Sequence, residues 1–191
     1  MPKYTSSDSK VSITVWAGSL FGKQGLSPTP HSYANDPHAE LAVWFIQLQP
    51  GGTVTLPAAS SDGVNRRAYF VEGLGLTIAD QTIPPSSAVT LKAPQEATLT
   101  NPTTDSVAEV LILQGRPIGE PVAQQGPFVM NTMAEIQQAF ADYRRTQFGG
   151  WPWPEDAVTF PREKGRFALV DGKEIYPPSS GQCGEGGRKD K

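Results

Sequence analysis

A chain of 191 residues can bury one good hydrophobic core or two small ones, and its 18 prolines and 19 glycines favour short strands and many turns over long helices. Charged residues make up 18% of it with a formal net charge of -3, a balance that argues against a nucleic-acid surface. A single cysteine, Cys183, excludes an internal disulfide and, in a Gly-rich tail, reads as a free surface thiol.

Residues 1–10 are polar and read as disordered. Val11–Ala17 alternates like a half-buried strand; it is too short for a secretory signal, and no run approaches a membrane span, so a cytoplasmic protein is expected. Ser19–Pro37 is a Gly-, Pro- and Ser-rich loop that must lie over a surface. Leu41–Leu48 is a dense apolar strand, and Pro50–Gly52 turns it into Thr53–Leu56. Strands follow at Arg67–Glu72, Leu74–Ala79, Ala88–Leu91, Ala97–Leu99 and Val107–Gln114. Many short strands without helix alternation describe a sandwich or small barrel.

A turn at Gly115–Pro117 and a loop over Ile118–Gln125 lead to one helix, Met133–Phe148. Thr132 and Glu135 have capping-box spacing, with Asn131 as the alternative cap. Met133, Ile136, Ala139, Phe140 and Tyr143 give it one apolar face, Arg144 and Arg145 suit its negative end, and Gly149 and Gly150 stop it. Beyond them, Trp151–Pro154 cannot form a regular helix, and its aromatics need apolar surface to cover. Phe160–Tyr176 supplies a further extended strap, and residues 178–191 read as a disordered tail.

The run Leu113–Thr132, with Glu135, Ile136, Ala139, Phe140, Phe148 and Gly149, closely resembles the signature of the pirin family in its carboxyl-terminal cupin domain. Trp151–Pro154 and Gly165–Ala168 resemble the extension of bacterial pirin-like proteins. The resemblance implies an all-β cupin fold, a jelly-roll β-barrel over residues 11–130, followed by a packing helix at 131–149, a strap at 150–177 and the tail. Members are bicupins whose amino-terminal barrel holds iron through three histidines and a glutamate. Some are reported as quercetin 2,3-dioxygenases and others as nuclear partners of transcription factors. Only the second barrel is matched, so the first, which would precede Val11, is expected to be absent.

A cupin metal site needs an H-x-H pair, a nearby glutamate and a further histidine pointing into one barrel. Pro50–Ala59, matching the first ligand strand, has no histidine, and Leu91–Val110 offers Glu96, Asp105 and Glu109 without an imidazole. His31 and His38, with Asp36 and Glu40, fall in or beside the long loop, where no element fixes their geometry, and read as solvent-facing. No metal ligand, cofactor-binding or catalytic residue is therefore assigned; iron is expected only in a complete family member. The two histidines are equally ill placed for a hydrolase triad, and the Gly-rich runs lack a phosphate-loop lysine and hydroxyl. Arg66 and Arg67 beside Tyr69 and Phe70 are explained by alternation on a strand rather than by base stacking.

Prolines at 117 and 121 stiffen the loop after the last strand, which either seals the barrel mouth or forms a docking surface. In the second case Arg116, Glu120, Phe128 and Asn131 help form the face that packs on a metal-bearing barrel. That face would be covered by a second copy in a homodimer, by a separate metal-bearing cupin domain, or by the Trp151–Pro154 strap. Two functions follow. One is a metal-free structural or protein-interaction module; the other is part of an iron-dependent quercetin 2,3-dioxygenase-like protein whose ligands come from elsewhere. Neither a nucleic-acid nor a membrane partner is expected.

Overall fold

The computed structural model describes residues 1–151, 153–156 and 159–177. They fall into two compact units that divide after Pro121. The readings of Cys183 and of the tail from 178 lie outside the described residues.

In the first unit the chain forms β1 (Lys3–Thr5), β2 (Val11–Ala17), β3 (Ser19–Leu20), β4 (Lys23–Gln24), β5 (Ala42–Leu48) and β6 (Thr53–Leu56). It continues through β7 (Asn65–Glu72), β8 (Thr77–Ile78), β9 (Gln81–Thr82), β10 (Ala88–Leu91), β11 (Ala97–Thr100) and β12 (Ala108–Gly115). Six strands make one sheet in the order β1-β2-β5-β12-β7-β10, and four make another in the order β6-β11-β8-β9. All pairs in these two sheets are antiparallel, and their inward side chains share one core. Two facing antiparallel sheets around one core make a jelly roll, within the sandwich or small barrel that the strand pattern predicts.

Period-2 alternation sets what faces inward. In the large sheet the inward rows run Val11, Leu48, Ala108; then Ile13, Ile46, Val110, Phe70; then Val15, Trp44, Ile112, Ala68. All of these are buried, and each large aliphatic contributes roughly 1.5–3 kcal/mol by leaving water. The fourth row breaks the pattern with Ala42, Gln114 and Arg66. On the small sheet Val54, Leu56, Ala97, Leu99 and Ile78 face the core. Its outward threonines pair hydroxyl to hydroxyl, Thr53 with Thr100 at 3.1 Å and Thr55 with Thr98 at 2.9 Å.

Residues 1–10, expected to be disordered, instead supply the edge strand β1, which pairs Lys3–Thr5 with Ser12–Thr14 and lays Tyr4 against the core. Ser6 and Asp8 close the turn that makes this pairing possible, since Ser6 N–H donates to Val11 O at 3.0 Å and Lys10 N–H to Asp8 at 3.0 Å.

At the apolar end of the sheet Asn101 is fully buried, with each polar atom of its side chain satisfied. Its Nδ2 donates to Leu48 O at 2.9 Å and Ser106 O at 2.7 Å, and its Oδ1 accepts from Thr103 N at 3.0 Å and Thr103 Oγ1 at 2.7 Å. At the opposite end, a clamp fastens the turn over Pro37–Glu40 to the end of β12. Arg116 Nε donates to His38 O at 2.9 Å, and its Nη2 to Glu40 Oε1 at 3.2 Å and Ser61 Oγ at 2.9 Å. Glu40 Oε2 accepts from the Ser60 N–H at 2.9 Å, and Oε1 accepts from the Ser60 hydroxyl as well as from Arg116. A Cβ at Gly63 would lie 2.4 Å from Arg116 Nη1, so a larger residue there would make the guanidinium move.

The second unit contains the hairpin β13 (Ala123–Gln125) and β14 (Phe128–Met130), the helix α1 (Met133–Thr146), and the hairpin β15 (Ala168–Val170) and β16 (Lys173–Ile175). The capping box is present as the spacing requires: Glu135 N–H donates to Thr132 Oγ1 at 3.3 Å and Thr132 N–H to Glu135 Oε2 at 2.8 Å. The β13–β14 hairpin, read as part of the barrel, groups instead with the helix. The stretch read as a strap from 150 to 177 folds back on itself at Asp171–Gly172 to make the last hairpin. Lys164 stabilises that turn-back, lying over the rings of Phe160 and Phe167 and pairing with Glu174.

Two changes test the ends of the sheet by urea unfolding. Asn101→Ala should cost about 2–3 kcal/mol by stranding two carbonyls and an amide, and Asn101→Asp more, because a carboxylate would face the carbonyls of Leu48 and Ser106; a loss within about 0.5 kcal/mol for both would refute this reading of the knot. At the clamp, the Ser60 hydroxyl, then the Ser60 amide and Arg116, hold the Glu40 carboxyl below the usual glutamate range against the opposing effect of burial. A depressed folded pKa means that the stabilisation is complete above the ordinary value of about 4.3 and disappears as pH falls through the folded value. Glu40→Gln should therefore cost about 1–2 kcal/mol at pH 7, and the gap from the parent should close in acid. A gap independent of pH would show that charge plays no part.

Candidate functional site

The polar fourth row of the large sheet lines a pocket of about 600 Å³ in the first unit. Arg66 on β7 and Gln114 on β12 are cross-strand neighbours, and Trp44 on β5 lies in the row beneath. Small residues at Ala42 and Ala68 leave room for these two large side chains. Around them the wall is completed by Pro28, Asp36, Pro37, Glu40, Leu41 and Pro57 among others.

Arg66 is only 1% exposed. Its Nε donates to Gln114 Oε1 at 2.7 Å, and Gln114 Nε2 donates onward to Glu40 O at 3.0 Å. That chain fixes which way the amide points and ties the strand to the clamp. The Arg66 Cζ sits 5.8 Å from the centroid of the Trp44 ring. Two buried donors in this part of the molecule, Arg66 Nη1 and Trp44 Nε1, have no acceptor among the described residues.

Burial pushes the Arg66 guanidinium below its ordinary pKa, and the field of Glu40 opposes that shift. Taking such an ion out of water costs several kcal/mol. The bond to Gln114 returns about 1.5–3 kcal/mol and the indole face roughly 1–2 kcal/mol. Arg66 is thus held, but not saturated. Asp36, also on the wall, is engaged as the cap of a short 3-10 turn, its Oδ1 accepting from His38 N–H at 2.8 Å.

The residues singled out in the sequence lie as follows. Arg116 is half-buried in the clamp, and Glu120 is exposed on the loop beyond it. In the second unit Phe128 packs edge to face on Phe140 at 4.9 Å, on Phe148 at 6.0 Å and on Tyr143 at 6.3 Å. Asn131 stands exposed just before the helix cap. His31 and His38 are exposed, and His38 contributes its backbone to the clamp. Among the described residues no group of three or more His, Cys, Asp or Glu is arranged to hold a metal ion, and no helix is long and apolar enough to cross a membrane. Arg66 was the residue that sequence reasoning passed over. Its signal was present: counting back by twos from the inward Phe70 and Ala68 reaches Arg66, so alternation that explains the Arg66–Arg67 pair also sends one of them inside.

Residues 43–149 match the family described as the Pirin C-terminal cupin domain. A pirin-like protein of Solanum lycopersicum is 34% identical over 137 residues, which cover 70% of this chain and 43% of that one. A pirin-like protein of Caulobacter vibrioides is 38% identical over 107 residues, 56% of this chain and 37% of that one. The crystal structure of a quercetin 2,3-dioxygenase from Acinetobacter baumannii is similar with a TM-score of 0.62 at 27% identity, covering 78% of this chain and 47% of the other. The chain therefore spans less than half the length of these relatives. With more than half of its residues inside one family's match, and with that family's fold around its core, the chain belongs to the pirin family through its C-terminal cupin domain.

Proposed function

We propose that this cupin domain works without a metal of its own, as a structural or protein-interaction module that packs against a metal-bearing cupin barrel. The observation that carries the reading is the set of inward side chains at the pocket: the guanidinium and amide of the fourth row and the indole of the row beneath. Iron in a cupin calls for imidazole and carboxylate donors converging on one point. Arg66 repels a second cation, Gln114 has already committed its carbonyl oxygen to Arg66, and Trp44 offers a donor where a metal needs a lone pair. The residues present do not fit the ion, so no step of an oxygenation is assigned to them.

The partner half of the proposal is supported by the outer face of the large sheet. Phe45, Leu111 and Tyr69 share one outward row and Val43 and Leu113 the next, with Trp16 stacked on Phe45 at 5.7 Å. Trp16 is 42% exposed and Leu113 37%, an apolar edge of the kind that marks a contact surface. Arg116, Glu120, Phe128 and Asn131 are proposed as further contact residues, and the partner as a second copy or a separate metal-bearing barrel. A chain with one cysteine suits the reducing cytoplasm. The second reading, part of an iron-dependent quercetin 2,3-dioxygenase whose ligands belong to another barrel, is favoured by the similarity to the Acinetobacter structure. In both readings this chain alone performs no turnover.

The test is iron analysis of the purified chain after anaerobic loading with Fe(II) and desalting, followed by oxygen uptake with quercetin. Far less than one iron per chain and no quercetin-dependent uptake are expected; stoichiometric iron would overturn the metal-free reading. Sedimentation equilibrium, on the chain alone and mixed with a separately prepared metal-bearing barrel, should show a mass above that of one chain in at least one case. Leu113→Asp should weaken that association about tenfold. A single-chain mass in both cases would remove the interaction role.

A further inference from the structure

We propose that the pocket over the fourth row is a binding site for a small organic monocarboxylate, whose carboxyl group accepts from Arg66 Nη1 and Trp44 Nε1. The reading rests on donors and space, independently of any partner on the outer face. Buried N–H groups in folded chains almost always find an acceptor, and here two go without one in the same corner, both on residues that border a cavity. At about 600 Å³ that cavity lies within the range of roughly 300–1,000 Å³ typical of small-ligand sites. Pro28, Pro37, Leu41 and Pro57 give an otherwise mainly polar wall an apolar part, which suits a small organic body behind a charged head.

The charge balance chooses the head group. Arg66 supplies one positive charge without an acidic side chain bonded to it. Glu40 is on the wall but is paired with Arg116 and covered by Ser60, while the Asp36 carboxylate has no cation bonded to it among the described residues and accepts from the His38 N–H. A dianion such as phosphate would bring a second negative charge against Asp36 and would need more donors than these two. A monocarboxylate matches both counts, with one oxygen for each N–H. Both donors are buried on residues that line the cavity, so the site requires the guanidinium and the indole to present these N–H groups to the incoming carboxylate when it binds.

The probe is sodium benzoate, titrated into the ¹⁵N-labelled full chain while the Trp44 indole N–H resonance is followed; Trp44→Phe identifies that resonance by its loss. A saturable shift is expected with benzoate, and none with benzamide, which has the same shape without the charge. Arg66→Lys, which keeps the charge but not the planar fork, should weaken benzoate binding about tenfold or more. If that variant fails to fold, judged by the dispersion of its amide resonances, Trp44→Phe replaces it: it keeps an aromatic ring beside Arg66, removes the indole donor, and should weaken binding several-fold as read on the Ile112 amide. No saturable shift with benzoate, an equal response to benzamide, or undiminished affinity in the folded variants would each overturn the site and leave two donors satisfied by water only.

Discussion

The bond from Arg66 to Gln114 sits where the pattern of the whole first unit changes. Three inward rows of the large sheet are apolar, and the row that ends it is not. Because β5, β7 and β12 are the central strands and share one register, a side chain cannot leave this row without a one-residue slip that would turn every core residue outward. The guanidinium is therefore buried by the hydrophobic effect acting on its neighbours: the apolar rows fix the register, and the register carries Arg66 inside at a cost that Gln114 and Trp44 offset only in part.

The clamp of Arg116, Glu40 and Ser60 is the outer layer of the same arrangement. Gln114 reaches Arg66 with its carbonyl and the Glu40 backbone with its amide, so the inner and outer arginines are linked through one side chain and one turn. Glu40 adopts a left-handed conformation, with φ 45, at the point where its carboxylate must turn back to Ser60 and Arg116. The loop read over Ser19–Pro37 is thus followed by a turn whose Glu40 is held by residues 20 and 76 positions away.

What the sequence revealed and what it hid divide along range. The strands Val11–Ala17, Thr53–Leu56 and Ala88–Leu91 have the bounds that alternation and turns predicted, and α1 starts at the capping box that Thr132 and Glu135 announce. These are local signals, written within a few residues. The edge strand Lys3–Thr5 and the hairpins β13–β14 and β15–β16 have three residues per strand, too few to show a period of two, and their pairing depends on turns whose chemistry is shared with ordinary loops. Arg66 was hidden differently. Its strand was found, but a charged residue on a half-buried strand is ordinarily outward, and only the register against β5 and β12 shows that this one is not.

The two ends of the large sheet are built from the same materials to opposite effect. At one end Asn101 uses both donors and its acceptor, so the polar knot is closed and adds rigidity without offering anything to a ligand. At the other end, six residues along β5 and about 20 Å away, Arg66 and Trp44 keep a donor each unspent beside an open cavity. A buried polar group left unmatched is costly, and a closed solution was available to this fold, as Asn101 shows. In cupins that hold iron, histidines and a carboxylate point into the barrel, so the fold makes its interior a place for a cation. A guanidinium on the inward row presents the opposite sign to such a cation, while the apolar rows beneath it form the same kind of core. Under the two proposals made above, one charge has both consequences: the guanidinium that would repel a metal ion is the group that would receive an anion.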